Sequence, residues 1–188
     1  MLFPSKIILA SKSPRRKLLL EWAAISFEIR VSDSDESYPP DLPLGEVPLY
    51  IARNKALSIV AGEGEIVLAA DTVVVLDNEI IGKPADRTDA VRILSKLSGR
   101  VHQVITGVVL IKNKKEIAFS DSTEVEFNEL TQEQIEFYVD AYQPYDKAGA
   151  YAIQEWIGVT GIKKIAGDFY NVMGLPISRV VKTLHQLV

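Results

Sequence analysis

The sequence contains no cysteine, and that absence removes disulfides, thiolate nucleophiles and thiolate-ligated zinc from consideration. Histidine is almost as scarce. His102 and His185 are the only two and stand far apart, so a histidine-based zinc site lacks ligands. Any metal is therefore expected to be a hard cation on carboxylates. No apolar run approaches the ~18 residues that a membrane span requires. The opening Met-Leu-Phe-Pro-Ser-Lys lacks the layout of a signal peptide, so a cytoplasmic protein without a membrane partner is expected. Positive charge is not in excess either: 21 Lys and Arg stand against 25 Asp and Glu, a net charge of −4. Such a chain is a poor general binder of nucleic acid, and no stable nucleic-acid complex is expected. Local basic clusters still suit small anions. Long Gly/Ser or Pro-rich linkers, internal repeats and low-complexity segments are missing, so the 188 residues read as a single domain.

What is present is ample apolar material, 47% of the chain, enough for a sizeable core. Residues 6–10 form a short apolar run, read as a buried strand. Ser13 then suits the N-cap and Pro14 the first position of a helix running to Ala24, with Leu18, Leu19 and Trp22 as core contacts. A strand at 27–31 and a polar loop at 32–43 follow. Residues 47–61 carry helical periodicity through Tyr50, Ile51, Leu57 and Val60. The apolar run 66–70 reads as a central strand ending at Asp71-Thr72, and strands 73–76 and 79–81 flank an Asp77-Asn78 hairpin turn. Thr88 or Asp89 is expected to cap a helix to about Leu97. Long strands at 101–111 and 116–125 surround a turn, and Thr131 with Gln134 makes a capping box. Short strands are expected at 150–153 and 162–165, and a terminal helix from Pro176. Mixed strands and helices with antiparallel hairpins give an α/β or α+β class.

Several segments carry chemistry. In Ser11-Lys12-Ser13-Pro14-Arg15-Arg16 a strand ends, two hydroxyls follow, and a helix starts with paired arginines. The first amides of a helix have no partner within it and attract phosphate, and arginine forks match phosphate oxygens. The same pattern also describes a capped surface helix with solvated arginines. Asp71, directly after a buried apolar strand, sits where open α/β sheets place ligands, and suits a metal or an attacking water. A strand-ending aspartate that caps a turn has the same appearance. Lys83 in Gly82-Lys83-Pro84 offers a point charge to phosphate but lacks the glycine spacing of a Walker A loop. Lys55 offers another, and Glu36 in the polar loop a further carboxylate; each also reads as an ordinary solvated residue. The run Tyr145-Asp146-Lys147-Ala148-Gly149-Ala150-Tyr151-Ala152-Ile153-Gln154 reads as a tight turn next to a site, with the Gln154 amide as both donor and acceptor.

Taken together and in order, these segments resemble the Maf family of nucleotide pyrophosphatases. The resemblance spans Ile7 to about Leu184. It is carried by Leu-Ala-Ser-Lys-Ser-Pro-Arg-Arg (9–16), Ala-Asp-Thr-Val-Val (70–74), Gly-Lys-Pro (82–84), Thr-Gly-Val (106–108), Asp-Lys-Ala-Gly-Ala-Tyr-Ala-Ile-Gln (146–154) and Asn-Val-Met-Gly-Leu-Pro (171–176). It implies a mixed sheet flanked by helices, related to inosine triphosphatases, with two lobes and a cleft between them. It implies hydrolysis between the α- and β-phosphates with a divalent cation, Mg²⁺ or Mn²⁺, and a homodimer. By resemblance Asp71 is the base; Ser11, Arg15, Arg16, Lys55 and Lys83 bind substrate; and Glu36 with Asp71 holds the metal. Arg15, Thr72 and Gln154 resemble the branch acting on dTTP and UTP. A branch favouring methylated guanosine triphosphate carries bulkier or acidic residues there.

On this reading the cations neutralise the triphosphate, Ser11 and helix amides orient it, and Asp71 positions or deprotonates water. The Gln154 amide can donate to O4 and accept from N3–H of uracil or thymine. A flipped amide serves cytosine equally well, so discrimination needs a neighbour that locks it, and Thr72 is one candidate. Two other readings stand beside this one: a Maf-type pyrophosphatase for CTP or a modified purine nucleotide, and a non-catalytic nucleotide- or nucleic-acid-binding regulator of cell division.

Overall fold

The computed structural model describes residues 5–187. The opening residues Met1–Pro4, part of the stretch expected to lack a signal layout, lie outside them. In chain order the elements are β1 (Ile7–Leu9), α1 (Pro14–Trp22), β2 (Phe27–Ile29), α2 (Val47–Leu57), β3 (Ile66–Leu76), β4 (Glu79–Ile81), α3 (Arg87–Leu97), β5 (Val101–Lys112), β6 (Lys115–Phe127), α4 (Gln132–Tyr142), a 3-10 turn (Ala148–Ala150), α5 (Trp156–Gly161), β7 (Ile162–Ala166), α6 (Phe169–Met173) and α7 (Ile177–Leu184). The strands form a mixed sheet of order β2-β1-β3-β5-β6-β7, with β4 paired to β3. β1 runs parallel to both β2 and β3, with Ile7 opposite Phe27 and Ile66. β4 returns antiparallel to β3, and β7 antiparallel to β6. The α/β class expected from the sequence is the one observed.

The chain divides into two compact units. The first comprises the described residues of Met1–Asp71, Thr106–Asp121 and Gly174–Val188; the second comprises Thr72–Ile105 and Ser122–Met173. In the first, alternate residues of the strands, Ile8 and Ala10, Val67 and Ala69, and Val109, present one apolar face to Ala52 and Ala56 of α2. Small side chains on both partners let helix and sheet approach closely. At Gly107 the approach is closest: a Cβ there would lie 2.3 Å from the backbone nitrogen of Leu49, in the first turn of α2. Glycine inside a strand often marks such a backbone approach.

The second unit has its own apolar centre. His102 of β5, Phe127 of β6 and Tyr151 pack edge to face, with ring centroids 5.0–5.4 Å apart. The His102 Nε2 and the Tyr151 hydroxyl share a hydrogen bond of 2.7 Å. Burial pushes the His102 pKa down to about 4 and raises that of Tyr151.

Several local expectations are corrected. α1 buries Arg16, Leu19 and Leu20, whereas Leu18 is half-buried and Trp22 is 60% exposed, because the inward stripe lies one step around the helix. α2 stops at Leu57, so Leu57 and Val60 are exposed, and its buried face is Val47, Pro48, Ile51, Ala52 and Ala56. Asp86, not Thr88 or Asp89, caps α3, accepting from the Asp89 amide at 2.8 Å. Residues 150–153 do not form a strand. Gly149 and Ala150 have φ of +70° and +57°, and the Glu155 amide closes a turn on the Ala152 carbonyl at 3.1 Å. α5 and α6, of six and five residues, are too short for a helical period to register in the sequence. The correction that bears most on function is at Asp71-Thr72. β3 passes straight through them as one eleven-residue strand, half-buried at these two positions and buried at the rest.

Two outcomes are expected. Gly107→Ala forces α2 off β5 and should destabilise by about 3 kcal/mol, as overpacking does, lowering Tm by roughly 6–12 °C for a chain of this size. An unchanged Tm would contradict the close approach. The depressed His102 pKa contributes stability that is present above pH ~6.5 and is lost as pH falls through about 4, because the unfolded state binds the proton first. Urea midpoints between pH 7.5 and 4.5 should therefore fall less in His102→Phe/Tyr151→Phe than in the wild type.

Candidate active site

In the first unit the site begins where β1 ends. Ser13 has extended backbone and accepts from the Arg16 amide at 3.5 Å, and Pro14 fits the first helical position, so α1 starts as the sequence indicates. Ser11 precedes the cap, and its Oγ accepts from the Ser13 amide and from Arg16 Nη1, both at 3.2 Å. Arg16 Nε donates to the Gly174 carbonyl at 2.8 Å, from a residue 158 positions away. Arg16 is thus a buried, fixed guanidinium. Burial pushes its pKa down; Asp71 opposes this, Arg15 adds to it, and Glu36 opposes it. A buried charge needs such partners, since desolvation alone is strongly unfavourable. Arg15, the next residue back on the helix, is half-buried.

Asp71 lies mid-strand in β3, with its side chain 15% exposed. The Lys55 ammonium reaches it from the last turn of α2 and donates to Asp71 Oδ1 at 2.7 Å. The same ammonium lies 2.7 Å from Glu36 Oε1, in the polar loop. One cation therefore joins two carboxylates that are 35 residues apart in the chain. Asp71 Oδ2 accepts no hydrogen bond among the described residues. The carboxylate pair already shares one positive charge. Mg²⁺ usually binds through one or two carboxylates together with substrate phosphates, so Asp71 and Glu36 fit a divalent cation that arrives with a triphosphate. Among the described residues no group of three or more His, Asp or Glu side chains stands together to hold a metal alone.

The first unit therefore brings together Ser11, Arg15, Arg16, Glu36, Lys55 and Asp71. Two groups that shape this cluster carried no functional reading in the sequence. Gly107 seats the helix that delivers Lys55, and the Gly174 carbonyl anchors Arg16. A strand glycine is a recognisable sign of close approach, whereas a carbonyl so distant in sequence leaves none.

The other three candidates belong to the second unit. Thr72 is half-buried in β3. Lys83 is exposed in the loop after β4, whose Gly82 carbonyl accepts from the Gly149 amide at 3.1 Å. The Gly-Lys-Pro segment is thus tied to the turn that begins the run toward Gln154. Gln154 itself is exposed, on the buried pair Ala152 and Ile153. Its amide makes no hydrogen bond among the described residues.

Residues 6–187 match the family described as Maf-like protein. The chain is 49% identical to a protein of Bacteroides thetaiotaomicron named dTTP/UTP pyrophosphatase, over 97% of this chain and 96% of that one. It is 50% identical to one of the same name from Parabacteroides distasonis, over 95% of this chain and 94% of that one. Among solved structures, a HAM1 protein from Coxiella burnetii shares the fold at 16% identity with a TM-score of 0.52, over 97% of this chain and 99% of that one. The match runs through both units and includes every residue of the cluster around Lys55 and Asp71; the chain belongs to the Maf-like family.

Proposed function

We propose that this protein hydrolyses dTTP and UTP to the monophosphate and pyrophosphate, acting as one Maf-like domain on the cytoplasmic nucleotide pool. The observation that carries the proposal is the Lys55 ammonium held 2.7 Å from both Asp71 and Glu36, beside the buried Arg16 and the start of α1. Phosphate-binding cations and a carboxylate able to handle water stand at one place, in a chain whose relatives are named for this reaction.

In the reaction, a water oxygen bonds to the α-phosphorus, the bond from that phosphorus to the bridging oxygen breaks, and pyrophosphate leaves with the bond's electron pair. Asp71 Oδ2 takes the proton of the attacking water. Lys55, Arg15 and the amides of α1 neutralise phosphate oxygens, with Ser11 and Arg16 setting their position. Such preorganised charge is commonly the largest part of catalysis. Asp71 and Glu36 would hold Mg²⁺ or Mn²⁺, which when bound supplies charge neutralisation and a more acidic water. In the second unit Lys83 is assigned to phosphate, and Thr72 and Gln154 to the pyrimidine. A homodimer is the expected assembly, with no nucleic acid or membrane partner.

The decisive experiment measures pyrophosphate release with Mg²⁺ or Mn²⁺ from dTTP, UTP, CTP and 7-methyl-GTP. Highest kcat/KM on dTTP and UTP is expected. Preference for CTP or the methylated purine would assign the chain to another branch, and nucleotide binding without pyrophosphate would favour a regulator. Asp71→Asn keeps an acceptor for Lys55 but removes the base, so kcat should drop by about 10²–10⁴-fold. A folded Asp71→Asn with near wild-type turnover would overturn the assignment. Gln154→Ala should reduce the UTP-over-CTP ratio of kcat/KM by about tenfold, the worth of one hydrogen bond.

A further inference from the structure

Gln154 carries the proposed base reading, yet its side chain is exposed and bonded to nothing among the described residues. An amide that reads a base must still be aimed, because hydrogen bonds weaken steeply off axis. Where the amide can reach is set first by the backbone on either side.

That backbone is held from one point. Tyr138 of α4 is fully buried, and its ring stacks on Tyr142 with centroids 5.0 Å apart. Its hydroxyl accepts from the Ala152 amide at 3.1 Å and donates to Glu155 Oε2 in a short hydrogen bond. Ala152 lies two residues before Gln154 and Glu155 one residue after. The two flanks also close on each other, since the Glu155 amide donates to the Ala152 carbonyl at 3.1 Å. Lys147, itself buried, completes the frame: its Nζ lies 2.8 Å from Asp146 and 3.6 Å from the second oxygen of Glu155. Each arm of the tyrosine hydroxyl therefore ends on a group that is itself fixed. Ile153 and Ile157, 3% and 0% exposed, keep water from beneath the turn.

We propose that Tyr138 is a positioning residue for nucleobase selection, its hydroxyl fixing the backbone on both sides of Gln154 so that the amide approaches the pyrimidine edge from one place. This rests on the reading of Gln154 as the base reader. Tyr138 touches neither phosphate nor water in this scheme, so its loss should act on base recognition and leave turnover alone. Misaimed recognition lowers discrimination between substrates without removing the groups that perform the cleavage.

The test measures kcat and KM for UTP and CTP in the full chain carrying Tyr138→Phe, Gln154→Ala or both. Tyr138→Phe should raise KM for UTP several-fold with kcat within about twofold, and lower the UTP-over-CTP ratio of kcat/KM toward the Gln154→Ala value, about tenfold. The double variant should be no less selective than Gln154→Ala, because both changes remove one function. A purely structural tyrosine would instead lower Tm and alter both substrates equally, leaving the ratio intact. An unchanged ratio in folded Tyr138→Phe, with the ratio altered in Gln154→Ala, overturns the inference while the reading of Gln154 survives. An unchanged ratio in Gln154→Ala overturns that reading and the inference with it. Should Tyr138→Phe not fold, Glu155→Ala removes one arm of the same link and is scored by the same ratio.

Discussion

Helix α2 lies so close to the sheet that Gly107 of β5 has no room for a methyl group beneath Leu49. This contact sets the geometry of the first unit. Ala52 and Ala56 continue the same close face, so the last turn of α2 lies over the strands and Lys55 reaches Asp71 in mid-strand. A helix held a methyl group further away would move the base of the Lys55 side chain from β3, and its flexible stem would have to restore the 2.7 Å bond to Asp71. Packing of small apolar side chains thus decides where a charge sits.

The charges around that contact explain one another. Lys55 is mostly buried and satisfied by two acids, and Arg16 is buried and satisfied by Ser11, the Gly174 carbonyl and the field of Asp71. Removing one member of such a set strands the others in a poorly solvated place, which is more damaging than losing a surface ion pair. The net charge of −4 hides this arrangement. An acidic chain gathers Arg15, Arg16 and Lys55 at one helix start and one helix end, a local positive charge within an acidic whole. Asp71 is the residue that Lys55 and Arg16 share, by a hydrogen bond from the first and by its charge on the second.

The second unit solves a different problem, holding an irregular segment still. Residues 151–155 have no ladder of backbone bonds, so side chains replace it. His102 and Phe127 clasp Tyr151, and Tyr138 with Glu155 fixes the turn around Gln154. Buried hydroxyls suit this role because each both donates and accepts. The segment can then present one exposed amide on an otherwise buried footing.

Local rules made much of this legible. Ser13 and Pro14 start α1, Thr131 and Gln134 cap α4, and Asp77-Asn78 turn β3 into β4, each through backbone preferences confined to a few residues. The ordered motifs carried the family and drew attention to each residue now found near Lys55. Where the sequence misled, the deciding contact was distant. Asp71-Thr72 reads as a strand end because polar residues interrupt an apolar run, but the strand continues because its neighbours supply the ladder and Lys55 supplies the charge. Trp22 reads as core and Val60 as part of a helical stripe, yet both lie exposed, because periodicity shows that a helix has an apolar face without showing where the face stops. Residues 150–153 read as a strand because they are apolar, yet left-handed backbone at Gly149 and Ala150 turns them into a support for Gln154. By itself the sequence determined most of the elements, the caps of α1 and α4 and the cast of charged residues, all encoded over short separations. Only the tertiary structure decided which carboxylates share Lys55, what anchors Arg16 and what holds Gln154, because those partners are brought together by packing over separations that no local pattern records.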